Sequence, residues 1–261
     1  MLRDALVDPA IADVDVDSVE RVARHREILA RRRMIREVFF ELYAKEAELD
    51  RRYFDGVGGL RVEIGAGSSM LKSVIPDVES TDIVPSPGLD RVVDAMNLPY
   101  RDNSLRAIFG IHCFHHLHDP CKFLAEVDRA CAPGGGAVLV EPYFGPVASF
   151  IFKRLHPSEG FDKAGPIVRP RAGPMSGANQ ASSYIVFVRE RQTFERSFPG
   201  LELVHMDPLS NYIRYIVSGG INFRQLLPDA TIPLLKATEF ALSPLRRWLS
   251  IHHVLVVRKK A

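Results

Sequence analysis

Between Leu60 and Val140 the chain alternates short apolar runs with helical patterns, and this rhythm limits the fold more than any other feature of the 261 residues. Leu60 to Ile64, Ser80 to Val84, Arg91 to Val93, Leu105 to Ile111 and Ala137 to Val140 read as five strands. A helical pattern falls at Met70 to Ile75, and another starts at Asp119-Pro120 and repeats Phe123, Leu124, Val127 and Ala130 until Pro133-Gly134. Strands that alternate with helices require crossover connections, so they line up parallel and need cover on both faces. The expected class is α/β and Rossmann-like: a seven-strand, mostly parallel sheet with helices on both faces. Leu201 to His205 is the sixth strand and Val254 to Val257 the seventh.

The flanks add helices. Asp17-Ser18 can cap a helix running to about Asp50, with Val22, Ile28, Leu29, Met34, Ile35, Phe39, Leu42 and Tyr43 on one face, so residues 1–55 read as an N-terminal helical cover. Its seven arginines between Arg21 and Arg36 read as a solvated face. Residues 56–261 form the main domain, with helical acceptor-side insertions at about 143–182 and 208–250 and a further helix over Val188 to Phe198. From Pro208 to the end, eight bases face two acids, a basic surface set apart from the rest of the chain. The apolar residues between Tyr212 and Leu249 must pack on the domain, on a partner or on lipid.

A formal charge of +2 is too small to indicate nucleic-acid binding. No run of about 18 apolar residues occurs, and Asp4, Asp8, Asp13, Asp15 and Asp17 occupy the place of a signal peptide, so the expectation is a soluble cytoplasmic protein. Cys113, Cys121 and Cys131 have neither an even count nor a C-x-x-C spacing and read as buried thiols.

Ligands of open parallel sheets sit beyond the carboxyl ends of the strands, which directs attention to Gly65-Ala66-Gly67 after the first strand. A dinucleotide fingerprint needs a small residue at position 70, where this chain has Met70, and that counts against a pyridine-nucleotide oxidoreductase. A sulfonium cofactor needs close backbone approach and carboxylates instead. Glu63, Asp82 and Asp94 end three successive strands, and Met96 can pack on an adenine ring.

The stretch from Val62 to Pro142 resembles the class I S-adenosylmethionine-dependent methyltransferases, in the branch of small-molecule C- and O-methyltransferases. The resemblance rests on Glu63-Ile-Gly-Ala-Gly67, Thr81-Asp82, Asp94-Ala-Met96 with Leu98-Pro99, Phe114-His-His-Leu-His-Asp119-Pro120, and Ala132-Pro-Gly-Gly135 followed by Glu141-Pro142. It implies S-adenosylmethionine as cofactor, bound by Glu63, Gly65, Gly67, Asp82, Asp94, Ala95 and Met96, with Gly110, Ile111 and His112 at the methionine end. It also implies methyl transfer to a small-molecule or saccharide-type acceptor. The rival readings are the oxidoreductase and a non-methylating cofactor-binding protein that docks on a partner or membrane through its C-terminal helical region.

His112, His115, His116 and His118 crowd seven residues, but alternating positions at a strand end point in different directions, so no metal site is expected. Methyl transfer expels a neutral thioether and needs at most one general base, for which His112, Glu141, Tyr143, His156 and Glu159 are candidates. His156 and Glu159 are the choice, because the resemblance places acceptor contacts after the fifth strand.

Overall fold

The computed structural model describes residues 6–155, 159–171, 173 and 175–261. Strands β1 (Leu60–Glu63), β2 (Val78–Asp82), β3 (Arg91–Val92), β4 (Leu105–Ile111), β5 (Cys131–Pro142), β6 (Leu201–Pro208) and β7 (His252–Lys259) form one sheet in the order β3-β2-β1-β4-β5-β7-β6. The β1–β5 ladders are parallel, and β7 runs antiparallel between β5 and β6. Strand order reverses between β1 and β4, which opens the crevice at their carboxyl ends.

Helix α1 (Val19–Arg31) leads into α2 (Arg33–Tyr53), which lies on one face of the sheet. Val38, Leu42 and Leu49 of α2 share a core with Phe109, Val138 and Val254, so the cover is itself one layer of the sandwich. The buried Asp50 fixes α2 to the sheet by accepting from Arg61 of β1 and Arg106 of β4 at 2.9 to 3.2 Å. The other face is packed by α3 (Pro120–Ala130), by a π turn at Ile185–Arg189 that follows the single helical turn Ser182–Tyr184, and by α4 (Arg191–Ser197), through Phe123, Val127, Phe187 and Phe194.

Several boundaries differ from the pattern. The single helix expected over residues 18–50 breaks at Arg32, whose backbone is extended because its guanidinium reaches the Phe223 carbonyl at 2.6 Å and pairs with the buried Asp8. The helix expected after the glycine turn shrinks to one 3₁₀ turn, Leu71–Ser73. Ser69 Oγ caps Leu71 N at 3.0 Å, and Pro76 biases Ile75 away from helix. The second strand starts earlier and ends at Asp82, and the fifth and seventh strands are longer than their apolar cores. The helix over Val188 to Phe198 begins at Ser182 and passes through the π turn. Cys131 is buried, whereas Cys113 and Cys121 are half-buried, and all three are free thiols.

The arginines between positions 21 and 36 are not simply a solvated face. Arg21 donates to the Ile11 and Val14 carbonyls and to Asn222, and Arg26 donates to the Gly67 carbonyl at 2.8 Å. The region 208–250 holds α5 (Tyr212–Ser218), α6 (Ile232–Ala241) and α7 (Arg246–Leu249), interrupted at Gly219-Gly220 and at prolines. The buried Arg214 of α5 bonds Glu239 of α6 at 2.6 Å and Glu41 of α2 at 2.7 Å, so the region packs on the domain. Among the described residues no helix is long and apolar enough to cross a membrane.

Candidate active site

The glycine turn requires its glycines. Gly65 and Gly67 have φ of +62° and +43°, and a Cβ on Gly65 would meet Cys113 Sγ at 2.7 Å. Asp82, at the tip of β2, holds the turn from the other side: its carboxylate accepts from Gly67 N and from Val84 N, both at 2.8 Å. Asp94 Oδ1 accepts from Met96 N at 2.9 Å. Each carboxylate oxygen keeps lone-pair capacity beyond these bonds, so both acids remain able to accept from ligand hydroxyls.

These residues open into a cavity of about 470 Å³, a size typical of small-molecule sites. Glu63, Gly65, Gly67, Asp82, Asp94, Ala95, Met96, Ile111 and His112 all line it. Gly110 lies behind the wall, where a Cβ would press on Ile64 Cγ1 at 3.2 Å and Leu139 Cδ2 at 3.3 Å, so close packing accounts for that glycine. Glu159 lines the cavity, and His156 falls outside the described residues.

The electrostatics suit a cation. Burial pushes Glu63 up to about 7, with Asp82's charge adding to this and the Ser69 and Ser80 hydroxyls opposing it. Burial also raises Asp82 against the backbone N–H groups it accepts from, and raises the Cys113 thiol beside the same acids. Carboxylates held against their desolvation cost, in a cavity with ligand-sized space, gain from a positively charged guest.

The histidines depart from the sequence expectation. His112 has a left-handed backbone, φ 54°, and its ring packs at a tilt against His252, 4.5 Å between centroids, next to Tyr215. His115 and His116 sit in a 3₁₀ turn, Phe114–His116, and not on a continuing strand. Successive side chains therefore diverge by roughly 120° instead of 180°. The His115 and His116 rings lie 4.2 Å apart, and together with Glu159 they place ligating atoms within 4.8 Å of one another. His115 Nδ1 bonds the buried Glu141 at 2.7 Å, while its Nε2 lies 3.5 Å from Glu159. Burial disfavours the His115 imidazolium, but Glu141 and Glu159 overcome this and move its pKa up. Burial, with the His115 charge, brings His116 down to about 4.

The far walls come from three separated segments. Val22, His25, Phe39 and Tyr43 of the cover meet Ile151, Phe152 and Met175 of the first insertion and Tyr215, Ile216 and Phe223 of the second. Polar ties lock these segments over the cavity: Asp17 accepts from Met175 N, Ser176 N and Ser176 Oγ, and Arg21 bonds Asn222. Sequence reasoning missed His25, Tyr43, Tyr215 and His252 as cavity residues. The first three look like ordinary members of an apolar helical face, and His252 precedes an apolar strand that the pattern started too late.

Fold and site together bring a glycine turn, Glu63, Asp82 and Asp94 and a partly open chamber to the carboxyl ends of the parallel strands. The missing α-helix after the glycine turn also removes the helix N-terminus on which a dinucleotide's pyrophosphate would rest. Residues 68–139 match a family model described as a methyltransferase domain. Two curated relatives are norajmaline N-methyltransferase and ajmaline N-methyltransferase of Rauvolfia serpentina, 36% identical over 67 residues and 34% over 68. Each match covers 26% of this chain, and the chain spans only 20% and 21% of the length of these relatives. Among solved structures, geranyl diphosphate C-methyltransferase from Streptomyces coelicolor A3(2) aligns over 87% of this chain and 83% of its own, at 12% identity and a TM-score of 0.44.

Proposed function

We propose that the chain transfers a methyl group from S-adenosylmethionine to a small-molecule acceptor enclosed between the cover and the two insertions. The observation that carries this reading is the shared chamber: acids at three strand ends at one side, apolar walls from three segments at the other. The bound cofactor supplies an electrophilic methyl group on a cationic sulfur. Glu63, Asp82 and Asp94 supply the negative charge that meets it, and the glycine turn supplies close backbone approach. Val22, Phe39, Phe152, Met175 and Ile216 exclude water and fit a predominantly apolar acceptor better than a saccharide. Glu159, with His115 and His116, is the polar end that orients the acceptor's nucleophilic atom. The curated relatives match only 67 and 68 residues of the chain, so their N-methyl transfer leaves the acceptor atom open. Calorimetric titration with S-adenosylmethionine and NADH, followed by S-adenosylhomocysteine release across a panel of apolar amines and phenols, tests the reading. Binding of NADH in place of S-adenosylmethionine overturns it.

A second reading concerns where the chain works. Phe240 and Leu234 on α6 are 82% and 70% exposed, and Trp248 and Leu245 beside Arg246 and Arg247 are also exposed. We propose peripheral contact of this rim with an anionic lipid surface, since basic and aromatic residues beside exposed apolar side chains suit such an interface. Cosedimentation with anionic but not neutral vesicles, weakened by salt and by Phe240→Ser with Trp248→Ser, is expected. No sedimentation with either vesicle sinks it.

A further inference from the structure

The polar end of the chamber has the makings of a metal centre. His115 and His116 come from the 3₁₀ turn after β4, and Glu159 comes from the insertion after β5, so two separate elements converge. One ligating atom from each lies within 4.8 Å of the others. His115 Nε2 and His116 Nδ1 are both enclosed, and His115 Nε2 faces Glu159 at 3.5 Å.

What lies behind His115 is as informative as what lies in front. Glu141 is fully buried at the end of β5 and accepts from Cys113 N at 2.9 Å, Phe114 N at 2.8 Å and His115 N at 3.2 Å, so the turn is folded around its carboxylate. The same carboxylate accepts a hydrogen bond from His115 Nδ1 at 2.7 Å. A carboxylate that fixes one imidazole nitrogen and aims the other at a cluster is the arrangement that orients metal-ligating histidines.

We propose that His115, His116 and Glu159 bind one divalent first-row transition-metal ion, with Glu141 as the positioning residue behind His115. Two imidazoles and one carboxylate suit zinc, iron, cobalt or nickel, whereas magnesium and calcium prefer all-oxygen sets. Three protein ligands leave at least one coordination position open, and all three line the cavity, so that position faces the acceptor side. The site stands on these four residues and does not depend on the methyl-transfer reading.

The test uses the untagged full-length chain stripped of metal by a chelator. Titration with Co²⁺, followed by visible absorption, and with Zn²⁺, followed by calorimetry, is expected to show one ion per chain that excess Mg²⁺ does not displace. Glu159→Gln and His116→Gln each weaken binding by at least about tenfold, and Glu141→Gln, which touches no ion, by roughly 10- to 100-fold. Glu159 is the safest of these variants for folding, because it lies in the insertion and not in the core, and circular dichroism checks each one. Absence of stoichiometric binding by the wild-type chain, or wild-type affinity in folded Glu159→Gln and His116→Gln, overturns the proposal and leaves His115 as an imidazolium between two carboxylates. S-adenosylmethionine affinity of the metal-free chain, measured in the same calorimeter, separates the two ideas. Cofactor binding without metal binding sinks the metal site alone, and metal binding without cofactor binding supports the metal site while removing the methyl-transfer reading.

Discussion

Replacing Asp82 with asparagine separates what this residue does for the turn from what it does for a ligand. In the folded chain one carboxylate oxygen accepts from Gly67 N and the other from Val84 N, each at 2.8 Å. Asparagine keeps one acceptor and presents an amide NH₂ to the other N–H, so one of these two bonds is lost. Burial already disfavours the ionised carboxylate, and removing its charge offsets part of that loss. The net cost to stability is about 1 kcal/mol. A ligand sees a larger change, because a hydrogen bond to a charged acceptor contributes roughly 1.5 to 3 kcal/mol and each 1.4 kcal/mol is about tenfold in affinity. S-adenosylmethionine binding to Asp82→Asn, measured by calorimetry, is therefore expected to weaken by at least about tenfold while the urea midpoint moves little. Wild-type affinity in the folded variant would refute the reasoning and remove Asp82 from the cofactor site.

Glu63 gives a pH prediction: its folded pKa of about 7 lies above the ordinary 4.5, so its contribution to stability is full below pH 4.5 and is lost as pH rises through 7. The shift corresponds to on the order of 3 kcal/mol, and urea melts of the ligand-free chain at several pH values should show a shallower decline over this window in Glu63→Gln. Arg32→Ala leaves the buried Asp8 with Arg31, at 3.6 Å, as its basic partner among the described residues and removes one donor from the Phe223 carbonyl. A loss of about 3 kcal/mol in urea unfolding is expected, and a loss below about 1 kcal/mol would mean the break between α1 and α2 has another cause. Gly65→Ala forces a left-handed alanine against Cys113 Sγ and should cost about 2 kcal/mol in thermal or urea melts, with an unchanged midpoint arguing that the turn relaxes freely.

The sequence alone determined the sheet and the position of the glycine turn and its neighbouring acids. Strand and helix periods are local, and so is the need for glycine where φ is positive, so the strands and their ends could be read in advance; Glu63, Gly65, Gly67, Asp82, Asp94, Ala95 and Met96, singled out with the help of the family resemblance, all line the cavity. Errors within this half were errors of local competition: Ser69 and Pro76 cut a helix to one turn, and Arg32 broke another because its partners, Asp8 and Phe223, lie far away in the chain. The acceptor side was not legible in the same way. Its walls come from residues as distant as Val22, Phe152 and Phe223, and the arginines that hold them together look, in sequence, like any solvated helix face. The cluster of His115, His116 and Glu159 had the same fate, since only a 3₁₀ turn folded around the buried Glu141 puts neighbouring histidines on one side and lets a carboxylate from the insertion reach them. Periodicity reports which face of an element is apolar, whereas which faces meet depends on contacts between segments hundreds of residues apart, and those the tertiary structure alone decides.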